Sequence, residues 1–447
     1  MNEQMYIDLL EKELVPAMGC TEPIAIAFAC AKAKEILNDE VVQVDIFASG
    51  SIIKNVKSVT VPNTEGKKGI QSAAAIGIVA GNPDLSLEVL SKVDKEQIKI
   101  MNEFMEQVPI KVHHLKTHCT LDIVVKLASK EHNCVLRIQD EHDNIVYVEK
   151  DEQIVFDKST SADNKDLLDQ IEFSMQDIFD FANTVDLEKV KPCLDRQIEY
   201  NMKIATEGLN HSYGANIGSI LLSQNPDSIS NMAKAYAAAG SDARMSGCEL
   251  PVIINSGSGN QGMTVSLPVV IYARELKKSK DLLYRALLIS NLVALYQKKY
   301  IGRLSAFCGA VSAGAAAGTG IAYLLDQSLD TICHTIVNAL AITSGLLCDG
   351  AKPSCAAKIA ASVDAGIMGC MMYKENGSQF YRGEGIVAKN TDETIRGVGH
   401  IAKDGMKETN EEIIKLMISD LDGTNKFPSF FQSLINGIVM KRWNELR

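Results

Sequence analysis

A chain of 447 residues that is 46% hydrophobic and 23% charged is ordinary globular material, long enough for two domains. Its formal net charge of −11, with no cluster of basic residues, argues against a nucleic-acid or anionic-membrane partner. The first residues, MNEQMYIDLLEKEL, carry acids in an amphipathic pattern and lack the basic and apolar regions of a signal peptide, so a cytoplasmic protein with reduced thiols is expected.

Residues 4–14 and 22–37 read as helices, the second starting at Thr21-Glu22-Pro23 with Thr21 as N-cap and the proline in the first turn. Alternation over 41–49 predicts a strand, and the apolar run 69–81 a helix. From 108 to 150 short β-type runs alternate with turn clusters, which predicts a three- or four-stranded antiparallel module covered by helices. The polar stretch DKSTSADNKD (157–166) reads as a linker. Helical periods then follow at 170–181, 186–207, 214–222, 229–240, 263–277, 281–297, 307–325, 329–345, 355–373 and 391–403, with PVIIN (251–255) as the exception. The expected fold class is α+β. A mixed α/β N-terminal part spans 1–165 and holds the small antiparallel module, and a larger all-α part spans 166–447. The segment 308–325 has the length of a membrane span, but it is mostly Ala and Gly and reads as a close-packed interior helix. Such helices would also allow a close homodimer.

The glycine-rich stretch Gly257-Ser-Gly259-Asn-Gln-Gly262 has the spacing of a dinucleotide loop, but no second strand follows its helix. What survives is local: backbone N–H groups at a helix start, with Ser256, Ser258 and Asn260 beside them, suit a substrate carboxylate. Eleven cysteines include no Cys-x-x-Cys pair, which removes zinc ribbons and thioredoxin-like sites. Cys348 and Cys355 lie seven apart across a loop with Gly350 and Pro353, and Cys308 opens a helix whose N-terminus would favour thiolate. Three such thiolates without clustered histidines point to an iron–sulfur centre over zinc. Cys30, Cys134, Cys333 and Cys370 sit in apolar periodic segments and read as core.

MGCTEPIAIA (18–27), PVIINSGSGNQGMTVSLPVV (251–270), FCGAVSAGAAAG (307–318) and CDGAKPSC (348–355) together resemble the L-cysteine desulfidase family, related to the iron–sulfur L-serine dehydratase alpha chains. The resemblance runs along essentially the whole chain. It implies a [4Fe–4S] cluster on Cys308, Cys348 and Cys355, whose separations of 40 and 7 match the desulfidase pattern, in a catalytic C-terminal domain. Cys20 in the GCTEP motif points to the same branch. The serine dehydratases' Gly-Lys-Gly-His segment corresponds here to EGKKGI (65–70), without the histidine, so no histidine base carries over. The implied reaction is α,β-elimination of L-cysteine to pyruvate, ammonia and sulfide. An open cluster iron serves as Lewis acid, and no pyridoxal phosphate is needed.

The Cα base must stand within hydrogen-bond reach, and Cys20, Lys67 or Lys68, and His211 are the candidates. Each has a plain alternative: a small buried residue at a helix start, surface charge, and a capping histidine. Two other functions stay open, an iron–sulfur L-serine dehydratase and a non-enzymatic iron–sulfur sensor.

Overall fold

The computed structural model describes residues 3–117, 119–158, 167–302, 304–380 and 382–419. The chain opens with α1 (Glu3–Glu13), the short β1 (Pro16–Met18) and α2 (Thr21–Leu37). Cys20, not Thr21, occupies the N-cap of α2, and Thr21 is its first helical residue. The inner residues of α2 are apolar on every side, so the helix is buried almost all round, with the sheet on one side and another helix on the other.

β2 (Gln43–Ser49) runs into α3 (Gly50–Val56), α4 (Gly69–Ala80), a 3-10 turn (Pro83–Glu88) and α5 (Lys95–Gln107). Five strands follow: β3 (Ile110–Leu115), β4 (Asp122–Ala128), β5 (Asn133–Gln139), β6 (Ile145–Lys150) and β7 (Gln153–Asp157). They and β2 form one six-stranded sheet in the order β3-β2-β4-β5-β6-β7. This corrects the expected three- or four-stranded antiparallel module. β2 inserts between β3 and β4, parallel to the first and antiparallel to the second. A parallel pair needs a long crossover, and α3 to α5 supply it. Alternation sets the buried face, as in β5, where Cys134, Leu136 and Ile138 point inward.

The C-terminal part contains α6 (Leu167–Gln170), α7 (Met175–Thr184), α8 (Leu187–Asn210), α9 (Ile217–Gln224) and α10 (Ile229–Met245). After β8 (Pro251–Ile253) come α11 (Gly259–Glu275), α12 (Lys280–Ile301), α13 (Gly309–Asp326), α14 (Leu329–Thr343) and α15 (Ser354–Asn376). α16 (Thr391–His400), a π turn (Ile401–Gly405) and α17 (Lys407–Ser419) complete the described chain. Ser174, Ser228, Ser279, Ser328 and Asn390 each accept a first-turn N–H, which fixes where their helices begin. β8 pairs antiparallel with β1, and one apolar core runs on from Ile24 and Val125 to Leu292 and Val363. Of the linker read at 157–166, Asp157 ends β7, and 159–166 lie outside the described residues.

α13 and α15 touch backbone to backbone. A Cβ on Gly366 would stand 2.3 Å from the Gly314 carbonyl oxygen, and one on Gly314 would stand 2.4 Å from the Ser362 carbonyl carbon. Gly366→Ala should therefore push the helices apart and cost about 1–3 kcal/mol, seen as a lower unfolding midpoint. α13, the segment with the length of a span, is buried along nearly its whole length. Among the described residues one helix, Ser354–Asn376, is long and apolar enough to cross a membrane, and 56% of its most apolar window is buried in the protein.

Candidate functional site

The site forms where helix starts from both halves of the chain meet. The stretch before α13 and the stretch after α14 lie side by side. Phe307 and Leu347 make an antiparallel bridge, the Cys308 N–H donates to the Leu346 carbonyl at 3.1 Å, and the Cys348 N–H donates to the Ala306 carbonyl at 2.7 Å. This short ladder sets Cys308 beside Cys348. Cys355 follows at the second position of α15. All three thiols line one cavity of about 100 Å³, together with Cys20.

The loop between Cys348 and Cys355 is braced by charge. Asp349 accepts from Lys358 at 2.5 Å and from Lys352, and Lys358 also donates to the Leu347 carbonyl at 2.8 Å. Lys54 of α3, almost wholly buried, donates to the carbonyls of Ser305 (3.3 Å) and Cys348 (3.2 Å) and to the Asn410 side chain (2.7 Å). One ammonium thus ties both cysteine-bearing stretches to α3 and α17. Gly350 is required where it stands: its φ is +99°, and a Cβ there would lie 2.3 Å from the Lys54 carbonyl oxygen.

The glycine-rich loop closes the cavity from another side. Ser256 and Gly257 both adopt positive φ, and Ser258 is the N-cap of α11. β8, before the loop, pairs only with β1, and α12 follows α11 directly, so no βαβ unit forms. Ser256, Ser258 and Asn260 all line the cavity. Thr21 fastens this loop to the start of α2 by donating to the Gly257 carbonyl at 2.9 Å.

At the N-cap of α2 the Cys20 thiol donates to Glu22 at 2.9 Å, and Asn55 donates to the other Glu22 oxygen at 2.8 Å. Burial works to raise the Glu22 carboxyl. The His142 charge and the hydrogen bonds from Cys20 and Asn55 outweigh it, so Glu22 sits below the usual carboxylate range. His142 comes from the β5–β6 turn and lines the same cavity.

Burial opposes the thiolate that a helix start would favour at Cys20 and Cys308. Burial, then the Glu22 charge, push the Cys20 thiol well above its ordinary range. Burial, then Cys348, push Cys308 up to about 12. Burial also raises Cys355. A helix terminus contributes about 0.3–2 kcal/mol, whereas burial shifts a pKa by up to about 3–5 units, so desolvation wins.

Two candidate bases lie apart from the cavity. Lys67 is exposed in the turn before α4, as is Lys68, because that turn faces solvent. His211 caps the C-terminus of α8, 62% exposed, and pairs with Glu207 at 3.0 Å. Cys30, Cys134 and Cys370 are buried in the core, and Cys333 is half-buried. The residues missed from sequence are Glu22, Lys54, His142, Arg244 and Lys298. Arg244 carried a usable signal, a lone cation within the Ala-rich run AAAGSDARM (237–245).

Three thiols, a helix-start loop and buried charges around one small cavity are the equipment of an enzyme acting on a small polar molecule, not of a structural metal knuckle. The chain matches the model of the serine dehydratase alpha chain over residues 84–415. It is 53% identical over 420 residues to a UPF0597 protein of Desulfitobacterium hafniense, covering 93% of this chain and 97% of the relative. UPF0597 proteins of Finegoldia magna and Lachnoclostridium phytofermentans are 50% and 49% identical, each covering 92% of this chain and 99% of the relative. The chain belongs to the serine dehydratase alpha chain family, and so to the serine-dehydratase-like lyases of the iron–sulfur type.

Proposed function

We propose that this protein is an iron–sulfur L-cysteine desulfidase, cleaving L-cysteine to pyruvate, ammonia and sulfide. The observation that carries the reading is the ladder that lays Cys308 beside Cys348 in the cavity Cys355 also lines, all three as free thiols. The donor set fits a cluster. Among the described residues no three His, Cys, Asp or Glu side chains close on a single ion. A cubane takes its cysteines at separate corners, so it needs ligands spread around a cavity. A [4Fe–4S] cluster on these three would supply one open iron, a Lewis acid and a soft partner for the β-sulfur. No pyridoxal phosphate enters the reading.

The residues of the chain do the rest. The start of α11 offers backbone N–H groups, with Ser256, Ser258 and Asn260, to the substrate carboxylate. In this reading Cys20 takes the Cα proton, its thiol oriented by the hydrogen bond to Glu22. The reading keeps the enzyme in the reducing cytoplasm, alone or as a homodimer, acting on a free amino acid.

A second reading, an L-serine dehydratase, is favoured by the family model itself. The 40 and 7 spacing of the three cysteines and the GCTEP motif favour cysteine. Parallel anaerobic assays after cluster reconstitution decide. L-cysteine should yield sulfide, ammonia and pyruvate in equal amounts without added pyridoxal phosphate, and L-serine should be the poorer substrate, its hydroxyl being a harder ligand and worse leaving group. A clear preference for serine moves the chain to the dehydratase reading. Sulfide production that needs added pyridoxal phosphate would sink both.

A further inference from the structure

Arg244, on α10, is among the largest fully enclosed side chains of the protein, 2% exposed, and it lines the cavity. One nitrogen, Nη1, donates to Asn260 at 3.1 Å. The other two, Nε and Nη2, are buried with no hydrogen-bond partner. A buried guanidinium with unmet donors is costly unless something anionic completes it. The chain makes room for the group: a Cβ on Gly259 would stand 2.5 Å from Nε, so the guanidinium lies against the first turn of α11. Its two free donors and the helix-start N–H groups therefore share one anion position.

Glu22 is the opposite charge in the same cavity. It is 8% exposed and accepts from Cys20, Asn55 and its own backbone N–H. A carboxylate offers about four acceptor positions, so one donor more can be taken. No ion pair joins Glu22 and Arg244 among the described residues. Opposite charges held in one small cavity and kept apart are what a zwitterion fills.

We infer that Arg244 and Glu22 are the two poles of an α-amino-acid receptor, Arg244 taking the carboxylate and Glu22 the ammonium. Holding both groups fixes Cα between them and leaves one direction for the β-substituent. Arg244, Cys20 and Cys355 line the same cavity, so the anchored α-carbon faces a site that holds both thiols. The receptor selects on the α-carbon groups and so accepts small amino acids whatever their β-substituent. Compounds lacking either group are rejected. This rests on the lyase reading for the chemistry that follows binding, not for binding itself.

The test uses L-alanine, a zwitterion without a leaving group, with propionate and ethylamine as its halves. Calorimetry on the anaerobically reconstituted protein should show L-alanine binding far more tightly than either half. Arg244→Gln should weaken L-alanine about 10²-fold and leave ethylamine unchanged. Arg244→Lys should restore part of the loss, since it keeps the charge and loses the fork. Glu22→Gln should weaken L-alanine and leave propionate unchanged. The comparison of the three ligands on the unaltered protein stands even if a variant misfolds. Equal binding of propionate and L-alanine there overturns the receptor, as does an Arg244→Gln protein that binds L-alanine normally. If Arg244-dependent binding holds while no sulfide or pyruvate forms, the receptor stands and the lyase reading falls.

Discussion

Cys308→Ala, Cys348→Ala and Cys355→Ala proteins should each keep their fold and lose most of their iron, and turnover with it. The unaltered protein, reconstituted without oxygen, should be brown and carry about four irons per chain. Air should bleach the colour and end activity together. Backbone contacts hold these positions: the ladder between 306–308 and 346–348 and the Lys54 and Lys358 contacts involve carbonyls and amides, and the Cys355 N–H donates to the Lys352 carbonyl, the thiol of Cys355 adding only a long 3.7 Å contact to the Gly350 carbonyl. Removing a sulfur should therefore leave the loop in place and subtract a ligand. Cys370→Ala, in the core of α15, and Cys333→Ala, on α14, are the controls, and each should cost packing of about 1 kcal/mol and no iron. Iron and acid-labile sulfide analysis decides it. Full iron in any of the three single variants removes that cysteine from the ligand set, and activity that survives complete iron removal ends the cluster reading.

That these three cysteines could meet was legible in the sequence because the information is local: Cys348 and Cys355 lie seven apart across a Gly/Pro-containing loop, and Cys308 stands at a helix start. Many of the C-terminal helices were legible for the same reason, since a 3.6-residue period marks them and a capping serine or asparagine opens α7, α10, α12, α14 and α16. What was not legible depends on contacts between distant segments. The place of β2 inside the sheet is set by a crossover of three helices, and α3, only seven residues long and wholly buried, offers no period to read. α5 had its signal, an Asp94–Gln97 capping box, and went unread. Lys54 braces the cysteine-bearing stretches from α3, His142 and Arg244 reach the cavity from the β5–β6 turn and α10, and nothing in their own neighbourhoods points to one another. The thiolate expectation rests on a dipole argument, and the burial that opposes it is set by the tertiary structure and not by the local sequence.

Cys20→Ser should retain the cluster and bind substrate while turnover falls by about 10²–10⁴-fold, the usual contribution of a general base. Serine is the informative replacement here because the Cys20 thiol does two separable things. It donates a hydrogen bond to Glu22 at 2.9 Å, and it offers a sulfur that can be deprotonated. A serine hydroxyl keeps the donor and its direction, so Glu22 stays satisfied and the N-cap of α2 is undisturbed. It lacks only the acidity, being far too weak an acid to serve as base at neutral pH. Burial and the Glu22 charge both oppose the thiolate. A base role therefore needs an added positive centre beside it, such as a bound metal or the substrate ammonium, to release the proton. The rival role is that of a transient fourth ligand covering the open iron, which Cys20 could fill because it packs against Cys355. In that case Cys20→Ser should turn over normally and bleach faster in air. The two measurements, turnover under strict anaerobiosis and the rate of bleaching in oxygen, separate the roles in one variant. Normal turnover with unchanged oxygen sensitivity would take Cys20 out of the reaction and leave its thiol as a hydrogen-bond donor to Glu22.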